Sequence, residues 1–294
     1  MAYYTGTAND MTALRQALID ACVLEGWSWD GGSEVLSKAA MFLRLQIVSG
    51  YLTLLGRTGA TSGDAPNEAR IGTFASTAVT FPLTYEIFAF AGEVYMVVNY
   101  SVDLYQWCAF GQSTVQGISG SGMWVGASLA TTAPAGLQLS PTAGAQGSNY
   151  AAPALFWQTT YTYTEVRSCW VDSGLDGQGW WLGQTLSGVT VGIAATVPLV
   201  GLLPNSWNSE AVLLPIRCYK VRPSNKISLI ADLEHARYTR VDNYAPGEVI
   251  TIGADRWKVY PWYRKNTAAR DGGATTGINA HSGTLGWAIR YEGP

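Results

Sequence analysis

A chain of 294 residues can bury a sizeable core and build one large domain or two, and two are expected here. Only 13% of its side chains are charged, against about a quarter in ordinary globular proteins. The net charge of −3 hides a polarity: residues 1–214 hold 6 Lys/Arg against 14 Asp/Glu, residues 215–294 hold 12 against 7, and Arg167 is the sole cation between Ile71 and Glu210, which excludes a nucleic-acid surface in the middle. With 33 Gly, 16 Tyr and 12 Trp, the ion-poor chain is either a subunit whose surface becomes interface or a β-rich fold with a large core.

Met11, Leu14, Leu18 and Cys22, with Ala17 and Ala21, recur at three- and four-residue steps after the capping residues Asn9 and Asp10 and before Gly26, which predicts one amphipathic helix. Strand-like runs follow. Trp27–Trp29, a turn over Asp30–Ser33, Val35–Leu36 and the segment 40–56 with a bend at Gly50 give the helix a small sheet to pack on. Residues 57–72 are polar and glycine-bearing and read as a loop, while 79–102 reads as a hairpin around Ala91–Gly92. Residues 104–111 and 122–128 look like further strands. The stretch 130–150 is small, uncharged and turn-rich, and is expected to be a loop or linker arm. Strand-like pieces resume at 154–172, where Thr160, Thr162 and Thr164 alternate with Tyr161, Tyr163 and Glu165, then at 180–193, 210–223, 226–233, 247–265 and 286–293. The expectation is a mainly β, β-sandwich-like protein with one N-terminal amphipathic helix packed on a small sheet: a helix-plus-β domain over 1–129, the arm 130–150, and a basic β domain over 151–294.

Chemistry is sparse. His235 and His281 each stand alone, without a His or Cys at ligand spacing, so neither a metal nor a cofactor is expected. Cys22, Cys108, Cys169 and Cys218 form no C-x-x-C pair and read as buried free thiols. Asp172 and Asp176 sit in a glycine-rich turn lacking the spacing of a calcium loop. The glycine-rich run 117–126 fits neither a dinucleotide fingerprint, a nucleophile elbow nor a phosphate loop. The apolar run 188–204 is short, broken by Pro198 and glycines and without flanking cations, so no membrane partner is expected; the N-terminus lacks a signal-peptide pattern, which places synthesis in a cytoplasm. Trp157, Trp170, Trp180, Trp181 and Trp207 could offer stacking faces to a sugar, which makes a host surface glycan the alternative partner.

The segment 255–273 concentrates five cations and four aromatic rings. In its first half, Arg256, Lys258 and Tyr260 fall on one side of a strand and Trp257, Val259 and Pro261 on the other. Such a strand suits a subunit contact in which Arg256, Lys258, Arg264, Lys265 and Arg270 meet an acidic surface, and Trp257, Tyr260, Trp262 and Tyr263 anchor it. That acidic surface could belong to a neighbour or to the chain's own N-terminal part.

The blocks MAYYTGTANDMTALRQALIDAC and EGWSW near the start, EVYMVVNYSVDLYQWCAFGQS and SGMWVGAS in the centre, and DRWKVYPWYRKN and GTLGWAIRYEGP at the end resemble a family of virion structural proteins of tailed bacteriophages. The likeness covers about half the chain and leaves 130–215 untouched. It implies a particle component made in the host cytoplasm, tail- or baseplate-associated, whose partners are other copies of itself and neighbouring tail proteins, and it transfers no active site. The chain is therefore not expected to be an enzyme.

Overall fold

The computed structural model describes residues 1–73, 78–130, 156, 168–181, 185–186, 189–190, 212–241, 244–262, 265 and 285–293. Its elements run β1 (Ala2–Ala8), α1 (Met11–Leu24), β2 (Ser28–Asp30), β3 (Val35–Lys38), β4 (Met41–Val48), β5 (Tyr51–Arg57), β6 (Ala69–Ile71), β7 (Leu83–Ala89), β8 (Glu93–Ser101), β9 (Leu104–Gln112), β10 (Met123–Ala127) and β11 (Leu129–Ala130). After these come β12 (Cys169–Asp172), β13 (Trp180–Trp181), β14 (Thr185–Leu186), β15 (Val189–Thr190), β16 (Leu214–Arg222), β17 (Lys226–Arg240), β18 (Val249–Ile252), β19 (Asp255–Pro261) and β20 (Leu285–Arg290). The protein is mainly β with a single α-helix among the described residues.

Local chemistry explains the first elements. The Asp10 side chain accepts from the Ala13 N–H at 2.7 Å and so caps α1, and the chain leaves the helix through Gly26 at φ 82°. Asp30 accepts from Gly32 N–H and Ser33 Oγ to make the turn between β2 and β3. Ser49 and Gly50, both at positive φ, close the two-residue hairpin that sets Val48 opposite Tyr51.

The strands form three larger antiparallel sheets and a two-stranded ladder, β14-β15. The central sheet has the order β1-β7-β8-β9-β10-β12-β13, the N-terminal sheet β11-β6-β5-β4-β3-β2 and the C-terminal sheet β16-β17-β20-β19-β18. Alternate residues of the central sheet belong to different cores. Val94, Met96, Val98, Cys108, Phe110 and Val125 pack with α1 and the N-terminal sheet, through Leu14, Leu18, Leu43, Leu45, Leu52 and Leu54. Phe88, Tyr95, Val97, Trp107 and Trp124 pack with the C-terminal sheet, through Ile216, Ile230, Tyr260, Trp262 and Trp287. Because both faces of β8 are covered, its apolar run does not alternate with polar residues, and each large side chain so buried contributes about 1.5–3 kcal/mol.

Three elements differ from the expectations or add to them. No element was expected before the helix, yet all seven residues of β1 pair with β7, from Ala2 opposite Ala89 to Ala8 opposite Leu83. β6 lies inside the segment expected to be a loop, held between β5 and β11. β17 continues seven residues past Leu233, because its charged second half pairs with β20 as well as with β16. Of the expected division, the arm lies outside the described residues from 131 to 150. On its C-terminal side, β12 pairs with β10 and β13 with β12, which completes the central sheet, so the sheet runs across the expected boundary.

Candidate functional site

The polar groups that stand out are those trapped between the layers. At the edge of the central sheet, Lys258 of β19 points at β1 and β7, where its ammonium donates to the Glu86 carboxylate and to Tyr3 Oη, the latter at 2.7 Å. Tyr3 also donates to Glu86. The ammonium lies 4.6 Å from the Tyr3 ring centroid and 5.3 Å from that of Tyr291. Burial works against the charge on Lys258, but the hydrogen bonds and attraction of Glu86 and Tyr3 outweigh it and raise the amine above its ordinary value. Burial, then the bond to Glu86, pushes the Tyr3 phenol up. A lysine held so firmly charged is a tether and a poor nucleophile.

Deeper in the same contact, Glu93 at the head of β8 is 2% exposed and receives four hydrogen bonds. Tyr95 Oη donates to Oε2 at 2.7 Å, the Glu234 N–H to Oε1 at 2.9 Å and the His235 N–H to Oε2 at 3.0 Å. The His235 Nδ1 lies 2.8 Å from Oε2, and its ring stacks on Phe90 with centroids 3.8 Å apart. Burial, followed by the nearby Glu93, drives the Tyr95 phenol well above its ordinary range. A carboxyl group beside an imidazole has the makings of a general acid-base pair, but here its oxygens are filled by donors of the chain and one imidazole face is covered by a ring. The arrangement joins β8 to β17.

A third tie holds the turn that follows β12. Asp176, in the 3-10 turn Leu175–Gly177, takes a two-pronged bond from Arg222, with Nη2 at 2.7 Å from Oδ1, while the buried Lys220 ammonium donates to the Leu175 carbonyl and lies 5.2 Å from the Trp181 ring centroid. The Arg222 bond holds the Asp176 carboxyl below its ordinary value. Asp172 accepts from both the N–H and the hydroxyl of Ser121, at 2.7 and 2.8 Å. Both aspartates of the turn are thus committed within the chain, and among the described residues no group of three His, Cys, Asp or Glu could hold a metal ion.

The expected contact segment divides sharply. Arg256 is exposed, its guanidinium over the Tyr291 ring and bonded to the Gly293 carbonyl. Trp257 is buried with Val241, Val259 and Ala288. Tyr260 and Trp262 lie in the core shared with the central sheet, where Trp262 stacks on Trp287 at 4.7 Å. Lys265 is buried, donating its ammonium to the Val241 carbonyl and its N–H to the Asp103 carbonyl. Tyr263, Arg264 and Arg270 lie outside the described residues. As arranged here, Trp257, Tyr260 and Trp262 serve the chain's own core and cannot anchor a partner without being uncovered, and Lys258 meets Glu86 of the same chain. Alternation in β19 separates two faces but could not reveal that Trp257 and Val259 on one and Tyr260 on the other would be buried within the chain. Glu86 and Glu93 were missed, although one signal was present: an acidic residue at the head of the apolar run EVYMVV has to be neutralised or bonded if the run is buried. His235, which stands alone in the sequence, is the ring partner of Glu93; His281 lies outside the described residues.

Of the tryptophans considered for sugar stacking, Trp170 is buried. Trp180 donates its indole N–H to the Gly63 carbonyl at 2.9 Å, and its ring lies so near Gly56 that an added Cβ there would come within 2.7 Å of it. Trp157 and Trp207 lie outside the described residues.

On the outside, a cleft of about 670 Å³ separates α1 from β1, lined by Tyr3, Tyr4, Thr5 and Tyr85 on the sheet side and by Ala13, Gln16, Ala17, Asp20, Ala21 and Leu24 on the helix. Leu24 is 72% exposed, and Val23, Phe81, Val102, Ile227, Val249 and Ile252 are also exposed. No described helix is long and apolar enough to cross a membrane. The chain matches no protein-family model and no curated protein.

Proposed function

We propose that the chain is a structural component of a tailed-bacteriophage virion, tail- or baseplate-associated, that works by subunit assembly and not by catalysis. The observation that carries this reading is a surface poor in charge that nevertheless displays seven large apolar side chains among the described residues, four of them on the edge strand β18 or at the end of α1 beside the edge strand β1. Apolar edge strands without charged guards invite pairing with another chain and are retained where a partner covers them. The sequence blocks that resemble virion structural proteins supply the particle. Ties such as Lys258–Glu86 and Glu93–His235 fit a building block, since they fix the layers against one another and leave the outer edges for contacts.

Electron microscopy of intact particles locates the subunit and counts its copies. Density for this chain at the tail or baseplate supports the proposal; a soluble monomer that no particle incorporates removes it.

A further inference from the structure

We propose that β1 and α1 together form a self-complementary dimer surface, occupied by the same surface of a second copy of this chain. This inference rests on the assembly reading and names the partner at one of its surfaces. Among the described residues β1 pairs with β7 alone, so its other edge presents the backbone N–H and C=O groups of alternate residues to no neighbouring strand. The strand, AYYTGTA, has no charged residue, no proline and no bulge to discourage a neighbour.

Strand and helix are matched in length. Seven residues of strand span about 23 Å and the 14 residues of α1 about 21 Å. They run in opposite directions through the turn at Asn9–Asp10, and the bond from Tyr4 Oη to Glu25 Oε1 at 2.7 Å returns the end of the helix to the start of the strand. Thr5 therefore lies level with the middle of α1. A twofold axis through Thr5 pairs β1 with its copy in antiparallel sense: Thr5 opposite Thr5, Tyr4 opposite Gly6, Tyr3 opposite Thr7, Ala2 opposite Ala8. The same axis turns the two cleft-lining helix stripes toward each other. Within about one helical residue of register, Leu24 of one copy then meets Ala13 of the other, and the Gln16–Asp20 pair, bonded within each helix at 2.7 Å, meets its own copy, where the second Gln16 N–H faces the other Asp20 carboxylate. Both patterns are reciprocal, as a twofold contact requires. The pairing covers Leu24, the more exposed of the two large apolar side chains at the end of the helix, and joins two central sheets into one continuous sheet.

Engineered cysteines test the geometry directly, because the four native cysteines are buried. In antiparallel pairs, directly opposed Cα atoms lie about 4.5–5.5 Å apart, within the span of a disulfide. Thr5→Cys should therefore give a covalent dimer on mild oxidation. Thr7→Cys, equally exposed but about 13 Å from its mate, should not. Leu24→Glu, placed on an exposed side chain so that the fold is kept, should weaken self-association measured by sedimentation by roughly 100-fold, since two leucines are lost from the contact. A Thr5→Cys protein that stays monomeric under oxidation, or that links only to a different virion protein, overturns the pairing. Should the wild-type protein then still sediment as an oligomer, the assembly reading survives on another surface; a monomer that particles do not take up removes both.

Discussion

Replacing Glu93 by alanine tests whether the layer contact depends on that one buried carboxyl group. The substitution leaves Tyr95 Oη, the N–H groups of Glu234 and His235, and the His235 ring without their acceptor. The side chain is 2% exposed and one face of the His235 ring is covered by Phe90, so water reaches these donors poorly. An unsatisfied buried donor costs about 1–3 kcal/mol, and neighbours that share one site relax together, so the four losses do not add in full. The expected cost is about 3–5 kcal/mol, the range for removing one partner of a buried polar pair. Glu93→Gln keeps the shape and one acceptor oxygen and should lose only about 1–2 kcal/mol. Urea unfolding followed by tryptophan emission reads the difference, because Trp107 and Trp287 lie in the core that Glu93 helps to close. If the C-terminal sheet detaches first, that first transition is the one that shifts. A Glu93→Ala protein within about 1 kcal/mol of wild type would refute the claim that this group holds the layers.

The remaining expectations concern packing, thiols and acid. An alanine at Gly286 would set its Cβ 2.4 Å from the Tyr260 carbonyl oxygen and 2.3 Å from Val241 Cγ1, so Gly286→Ala should destabilise by about 2–3 kcal/mol in the same unfolding assay; an unchanged midpoint contradicts the close approach of β19 and β20. A thiol reagent should find none of Cys22, Cys108, Cys169 and Cys218 in the native protein and all four in denaturant, since all are buried and burial pushes the Cys22 and Cys108 thiols up; fast native labelling contradicts this. Asp176, bonded to Arg222, and Glu34, bonded to Gln46 and Arg15, both titrate below their ordinary values of 3.8 and 4.5. A depressed folded value means that their stabilisation is present above those ordinary values and is lost as pH falls through the folded ones. Stability should therefore drop below about pH 4, and the combined variant Asp176→Asn with Glu34→Gln should flatten that drop; an acid limb as steep as in wild type speaks against it.

Much of the local structure was legible in the sequence. The helix is specified by Asp10 and the three- and four-residue spacing, and Ser49–Gly50 and Asp30–Ser33 specify their turns because each uses short-range chemistry. β1 shows no two-residue alternation of apolar and polar residues; the adjacent tyrosines Tyr3 and Tyr4 were the available strand signal. The division of layers was illegible for a different reason. From Val94 to Val98 of β8 the residues facing α1 and those facing the C-terminal sheet are all apolar, so two-residue periodicity vanishes where it would be most useful. Lys258 was recognised as a cation on a strand face, but its acidic partner lies 172 positions earlier, and no local pattern carries information over that separation.

The central sheet's two covered faces also set a timetable for biosynthesis. By the time Ala127 has been made, the face toward α1 and the N-terminal sheet has its covering, whereas Tyr95, Trp107 and Trp124 await strands that begin only at Leu214 and end at Arg290. At ribosomal speeds of about 5–20 residues per second, that aromatic face waits for its sheet for roughly 10–30 s. A nascent chain of this design should gain yield from holding chaperones that guard that interval.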